Sequence, residues 1–425
     1  MYCKDKLANS LKVETFLITA YLLGVYFFPD KIKIATICFM LSYIVVEIIK
    51  QRDVIVCLPS LIWLCYIMFS FLSCVWGKGK LEDVLEFVVS ILMALFLLVF
   101  AFSVEERKGQ LKGLTVVCLI VILGCVLQFV LPDFLKRFNA NHLTREKYHF
   151  FDEFYKARRL VGFSFQTAIT GFYLTILFGV LFSKFLFSVK QNNAAKNIVY
   201  LLSLTVIYIF VFLTAKRSFI LLIPCGVFVL LCFHLKKHIG KIIAYFAVVI
   251  IVMMLLLYKT DFGQALLLRS SGDDWSTGRV GINEQMIARF WDAPIIGNGV
   301  CSTLVLLSDY QNAHNIYLQV LSESGVLGFC IVTLAFIVGL IQNIRVLAFS
   351  IENKQGEVIP LASISLFIQI IFLGWGFTGN PLYDVYPLYI YMISIGFINS
   401  IKKEQRVENT RKYESRNYYV LSQKQ

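Results

Sequence analysis

Three short stretches carry side chains that could do chemistry in a chain that has few charges. Lys216-Arg217 lie in LTAKRSFILL, with apolar residues on both sides. Two cations there fit either snorkelling into lipid headgroups or a receptor for an anionic headgroup. Arg279 lies in DDWSTGRVGINEQMIARFWDAP. Ser276 or Thr277 is a good N-cap and Pro294 marks an end, so 278–291 reads as a helix with Arg279 in its first turn. Free backbone N–H groups and the helix dipole favour an anion at that point, and a guanidinium adds a bidentate grip on phosphate. A surface salt bridge is the competing explanation for a single Arg. Arg289 falls about 80° around the same wheel and reads as solvated or structural, while Arg269 stays undecided. His314, in DYQNAHNIYLQVLSESGVLGF, opens a further helical pattern. A helix N-terminus disfavours imidazolium, so this ring is expected neutral and able to accept a proton. The alternative is an ordinary hydrogen-bonded interfacial His. Asn315 and Glu323 could orient substrate or cap the helix, and Gly325 and Gly328 suggest close helix approach.

Other candidates are weaker. His234 and His238 share an i, i+4 face in HLKKH but lack acidic companions, which fits a solvated basic turn better than a metal site. His142 and His149 have no companion pattern. Asp273-Asp274 is the one hint of an outer metal site. Trp275 and Tyr310 could stack on sugar rings, with interfacial anchoring as the simpler role. No P-loop, GxSxG or HExxH is present, and no CxxC or zinc spacing. Of 11 Cys, all but Cys3 and Cys301 fall in apolar runs, where a thiol acts as a small hydrophobe.

The elements that must hold these residues follow from composition. The 425 residues are 58% hydrophobic and 16% charged, with mean hydropathy +0.73. A soluble chain is about 45–50% apolar and about 25% charged, so a soluble enzyme, a disordered scaffold and a secreted disulfide module are excluded. Twelve apolar runs are each long enough to cross a bilayer: 13–29, 32–49, 54–76, 84–104, 111–131, 165–187, 197–215, 217–233, 240–258, 325–343, 358–378 and 385–401. The expected fold class is all-α, a polytopic integral membrane helix bundle of about twelve transmembrane helices. Pro59 and Pro224 are expected to kink their spans. The first run follows a basic N-terminus without a small-residue cleavage site and reads as a retained span.

The chain then divides into five spans within 1–131, a first outer segment at 132–164, four spans in 165–258, a large outer segment at 259–324, three spans in 325–401 and a cytoplasmic basic tail at 402–425, expected disordered. Of the 40 Lys and Arg, 17 lie on the side opposite the termini, and 11 of those fall in the two long segments. The positive-inside rule therefore places both termini in the cytoplasm and both long segments outside. Long connections are usually functional, and the net charge of +13 bears on membrane sidedness rather than on nucleic acid.

In order and sidedness these pieces resemble the O-antigen ligase/polymerase family. They are Lys216-Arg217, Gly278-Arg279, the turn Pro294-Ile295-Ile296-Gly297-Asn298-Gly299, and His314-Asn315 through Glu323, Gly325 and Gly328. Arg159-Leu160-Val161-Gly162-Phe163-Ser164 also looks like the family's way into the helix after the first outer segment. The resemblance implies a C-type membrane glycosyltransferase that takes glycan from undecaprenyl pyrophosphate on the outer face of the bacterial inner membrane, inverting, without cofactor or metal. It implies catalytic roles for His314, Arg279 and Arg217, and substrate binding by Lys216, Arg159, Asn315 and Glu323. The partners implied are the undecaprenyl-pyrophosphate-linked glycan and membrane lipid, with a chain-length regulator protein as a further candidate.

A polysaccharide polymerase is the leading expectation, because the His-Asn-x-Tyr-Leu-x-x-x-x-Glu-x-Gly form looks more like that branch. The runner-up is a ligase acting on lipid A core. A flippase for the same lipid-linked sugar is a third reading; it would place charge near the bilayer midplane, whereas Glu47, Glu86 and Asp384 all lie near span ends.

Overall fold

The computed structural model describes residues 16, 18–20, 22–23, 45, 56–100, 102–191, 193–259, 279–307 and 313–422. It is all-helical, with no strand among the described residues. In chain order the helices are α1 (Leu58–Leu72), α2 (Leu81–Val99), α3 (Val104–Val130), α4 (Pro132–His142), α5 (Arg145–Lys156), α6 (Thr167–Lys190), α7 (Ala194–Leu213), α8 (Arg217–His234), α9 (Ile239–Lys259), α10 (Arg279–Asp292), α11 (Ile316–Glu352), α12 (Ile359–Trp375) and α13 (Val385–Ser422). Six of these, α3, α6, α7, α8, α11 and α1 with its following turn, are long and apolar enough to cross a membrane, and α12 is a shorter apolar helix. Ten of the twelve predicted spans have a helical counterpart; the first two fall almost wholly outside the described residues.

Local signals set the boundaries. Ser103 opens α3 with a reciprocal capping box: its hydroxyl accepts from Glu106 N, and the Glu106 carboxylate accepts from Ser103 N at 2.8 Å. That start at 104 lies well before the predicted 111. Thr144 caps α5 and Asn193 caps α7 through their side chains. The runs 197–215 and 217–233 are two separate helices, α7 and α8, joined through Thr214, Ala215 and Lys216.

Two expectations are corrected. Pro59 is not inside a span but in the first turn of α1, where the N–H that proline lacks has no helical partner anyway. The tail beyond Ile401 is helical, continuing α13 to Ser422. No Pro or Gly interrupts it, and its Lys, Glu, Gln and Arg residues favour helix. Pro224 lies inside α8, which runs through it.

The core sits around α6, α12 and α13, whose Phe172, Tyr173, Phe367, Phe372, Tyr389 and Tyr391 are buried. α7 is the opposite case, with Leu201, Leu202, Val206 and Ile209 exposed. An apolar face without protein cover suits lipid, where a helix satisfies its own backbone.

Candidate functional site

The site is held by a break in α11. Gly325 adopts φ 62° and ψ −169° inside that helix, so the bonds that Val326 and Leu327 would donate to Ser322 and Glu323 are lost. The Pro294–Gly299 turn replaces them from both sides. Asn298 N donates to Ser322 O at 3.1 Å and Gly299 N to Glu323 O at 2.8 Å; Val326 N donates to Pro294 O and Leu327 N to Ile295 O. All four of these groups are therefore satisfied, as buried backbone requires. A Cβ on Gly297 would lie 2.2 Å from Glu323 O, and one on Gly325 would lie 2.3 Å from Ile295 O. Asn298 completes the joint: its amide donates to Arg289 O at 2.7 Å and its oxygen accepts from Lys78 Nζ at 3.0 Å. The C-terminal end of α10 is thus tied to α11.

Glu323 forms a sealed hub. It is fully buried, and its two oxygens accept from Cys301 N (3.0 Å), Thr303 N (3.3 Å), Gln319 Nε2 (3.0 Å) and the Tyr383 hydroxyl (2.6 Å). Burial first, then the Glu323 charge, raises the Tyr383 phenol well above its ordinary value, which keeps it a donor. The same causes push the Cys301 thiol up, so this buried sulfur is a poor nucleophile. A cavity of about 170 Å³ has Cys301 and Tyr383 among its walls and is also lined by Asp83, Glu86 and Ser90.

The cations gather where α8, α10 and α11 begin. Lys216 is the N-cap residue of α8 and Arg217 its first residue; Arg279 opens α10; His314 directly precedes Asn315, the N-cap of α11. Two helix N-termini, those of α8 and α11, therefore contribute, each favouring an anion, and Arg279 is the first described residue of α10. Burial and then Arg279 lower Lys216 to about 8. Arg279 is lowered by burial and then by Arg217. His314 is lowered by burial, then by Arg279 and Lys216. His314 as a whole residue is exposed, yet enough protein surrounds its ring that burial remains the main cause. Like charges held together in a half-desolvated place destabilise one another, and a bound polyanion relieves that. A neutral imidazole beside them can take a proton.

Backbone strain is present at several of these places, with Cys301 (φ 59°) and Lys354 (φ 52°) as further instances. Ala215 (φ 56°), His314 (φ 53°) and Arg158 (φ 54°) are non-glycine residues in the left-handed region. Such outliers persist only where the surroundings over-determine them, and they cluster at functional sites. Ile316 N donates to Gly376 O at 2.9 Å, and Ala313 N to Gln319 Oε1 at 3.4 Å, so the backbone is fastened on both sides of His314.

The structure brings Lys216, Arg217, Arg279 and His314 together. Arg159 lies beside the end of α7, where Leu160 N donates to Leu213 O at 3.0 Å. Its guanidinium lies over the Phe154 ring at 5.4 Å, and its carbonyl accepts from Gln128. The Asn315 side chain caps α11, accepting from Tyr317 N and Leu318 N. Glu323 has both oxygens engaged inside the protein. Arg289 sits near the other end of α10, 3.5 Å from Asp292. His234 bonds Ser363, His142 stacks on Phe138 and His149 lies 3.5 Å from Glu153. Among the described residues no group of three or more His, Cys, Asp or Glu could hold a metal ion. Arg269, Asp273, Asp274, Trp275 and Tyr310 lie outside the described residues. Sequence reasoning missed Gln319, Tyr383 and Asn298; the i, i+4 spacing of Gln319 and Glu323 was the one available signal.

No curated protein matches the chain. Residues 199–333 match the family model Wzy_C, described as O-antigen ligase, and they span most of α7, then α8, α9, α10, the interlocked turn and the first half of α11. With the membrane helix bundle around it, that match supports the likeness of this part of the chain to the O-antigen ligase/polymerase family.

Proposed function

We propose that the protein is a polysaccharide polymerase that transfers glycan from undecaprenyl pyrophosphate to a lipid-linked repeat unit on the outer face of the bacterial inner membrane. The observation that carries this reading is the Lys216, Arg217 and Arg279 cluster facing a His314 held toward its neutral form, at one end of an apolar bundle. In the reaction His314 takes the proton of an acceptor hydroxyl. The freed oxygen attacks the anomeric carbon from the face opposite the diphosphate, which inverts the centre. The bond from that carbon to the diphosphate oxygen breaks, and its electron pair leaves with the diphosphate. Arg279 and Arg217 neutralise the charge that develops, with Lys216 assisting. Diphosphate is already a good leaving group, so positioning and charge stabilisation supply most of what the reaction needs without a metal.

A ligase acting on lipid A core is the second reading, favoured by the description of the matching family model. The length distribution of surface glycan in a deletion strain separates the two. Single repeats that still reach the final acceptor identify a polymerase. Full-length glycan left on the lipid carrier identifies a ligase.

A further inference from the structure

We propose that Gln319 and Glu323 act as a positioning pair for His314 and do not touch substrate. This rests on the reading above, in which His314 serves the transfer. Gln319 lies one helical turn before Glu323 on the same face of α11. Its amide nitrogen donates to Glu323 Oε1 at 3.0 Å, which leaves its oxygen facing the other way. That oxygen accepts from Asn380 Nδ2 at 2.7 Å and from Ala313 N, the peptide immediately before His314. Glu323 fixes the orientation of Gln319 because a carboxylate only accepts. It is itself immobilised by Tyr383 and by the backbone of Cys301 and Thr303. The chain of bonds therefore runs from two separate segments, through two buried side chains, to the one peptide that precedes a left-handed histidine. Both side chains are fully buried, which separates them from any ligand. A buried network of this kind holds one geometry or fails as a unit.

The hydrogen-bond inventory gives a sharp test. In Glu323→Gln an amide must meet the Gln319 amide. If the new nitrogen takes the Oε1 position, two donors face each other, and relief by rotating Gln319 breaks its bonds to Asn380 and Ala313. In Gln319→Glu two carboxylates face each other instead. Exchanging the two, Gln319→Glu with Glu323→Gln, restores the pair. The new carboxylate accepts from Ala313, Asn380 and the new amide, whose oxygen accepts from Tyr383 and Cys301. Only the 3.3 Å contact to Thr303 is lost.

The experiment measures transfer by full-length protein reconstituted in liposomes, with lipid-linked glycan extracted from the deletion strain as the probe. Each single substitution is expected to lower kcat on the order of 10-fold to 100-fold with little change in KM, as for a misplaced catalytic group, and the exchange variant to recover most of it. In a His314→Ala background, Glu323→Gln is expected to cause no further loss, because residues acting as a unit are non-additive. Losses that multiply in that background would overturn the proposal. So would an exchange variant that melts like wild type yet stays as slow as the worse single. Full activity of His314→Ala alone would instead remove the reading of the reaction, and it is scored separately.

Discussion

Gly297 and Gly325 meet backbone to backbone: each adopts a left-handed φ, and a Cβ on Gly297 would lie 2.5 Å from the Gly325 nitrogen. The two residues belong to a turn and to a helix that are separated in sequence, and neither can accept a side chain without forcing the other away. Gly297→Ala should cost at least about 1–3 kcal/mol from its φ alone, with the backbone clash added. The expected outcome is a lowered melting temperature in detergent and lost transfer; an unchanged melting curve would contradict the interlock. Gly281, with open space around its Cβ position, is the control, and Gly281→Ala should leave stability unchanged or slightly raised.

His314→Ala should reduce transfer by roughly 10²–10⁴-fold, the range for loss of a general acid or base, while the protein still inserts and melts normally. Surface glycan in a complemented deletion strain gives a first reading, and single-turnover transfer in liposomes gives the magnitude.

Arg279→Lys keeps the charge but loses the planar fork. If Arg279 grips a diphosphate through two bonds, transfer should fall by about 10-fold or more, since bonds to charged groups are worth about 1.5–3 kcal/mol. Binding of the donor lipid measured at several salt concentrations tests the same contact.

The pH profile of kcat/KM should be bell-shaped. His314 is held below its ordinary 6.5, so the base form persists in mildly acidic solution and activity falls only below that value. Lys216 titrates at about 8 in the free protein, so its charge is lost above that pH and donor binding weakens. Bound diphosphate favours the protonated amine and should move the alkaline limb of kcat upward relative to that of kcat/KM. Lys216→Arg, charged throughout this range, should abolish the alkaline limb near 8. A limb that remains would assign it to another group.

Much of the scaffold was legible because a membrane helix must be both long and apolar, which composition alone displays. The helix α10 was legible through the breaker at Pro294, just beyond its end at Asp292, and the helical start at His314-Asn315 through a capping residue. Pro59 misled because an apolar run does not reveal where its first turn falls. The tail misled because polarity excludes a packed core but not a helix that continues from one. Gly325 was readable as a close approach, yet its partner is the Pro294–Gly299 turn rather than a neighbouring helix, a pairing that exists only in three dimensions. The depressed basicity of Lys216 is equally tertiary, because it comes from burial and then from Arg279, which lies in another segment. Glu323 shows the deeper difficulty: a carboxylate near a candidate base reads as a ligand for substrate until its four donors are seen.

The joint between the 294–299 turn and the broken helix also bears on what a family signature records. Its Pro, Gly and Glu positions hold two stretches of main chain against each other, and the bonds they secure are blind to what is being transferred. The matched residues 199–333 contain this joint whole. A fastening made of main-chain bonds serves any acceptor alike. Residues that tell one acceptor from another should then be sought outside it.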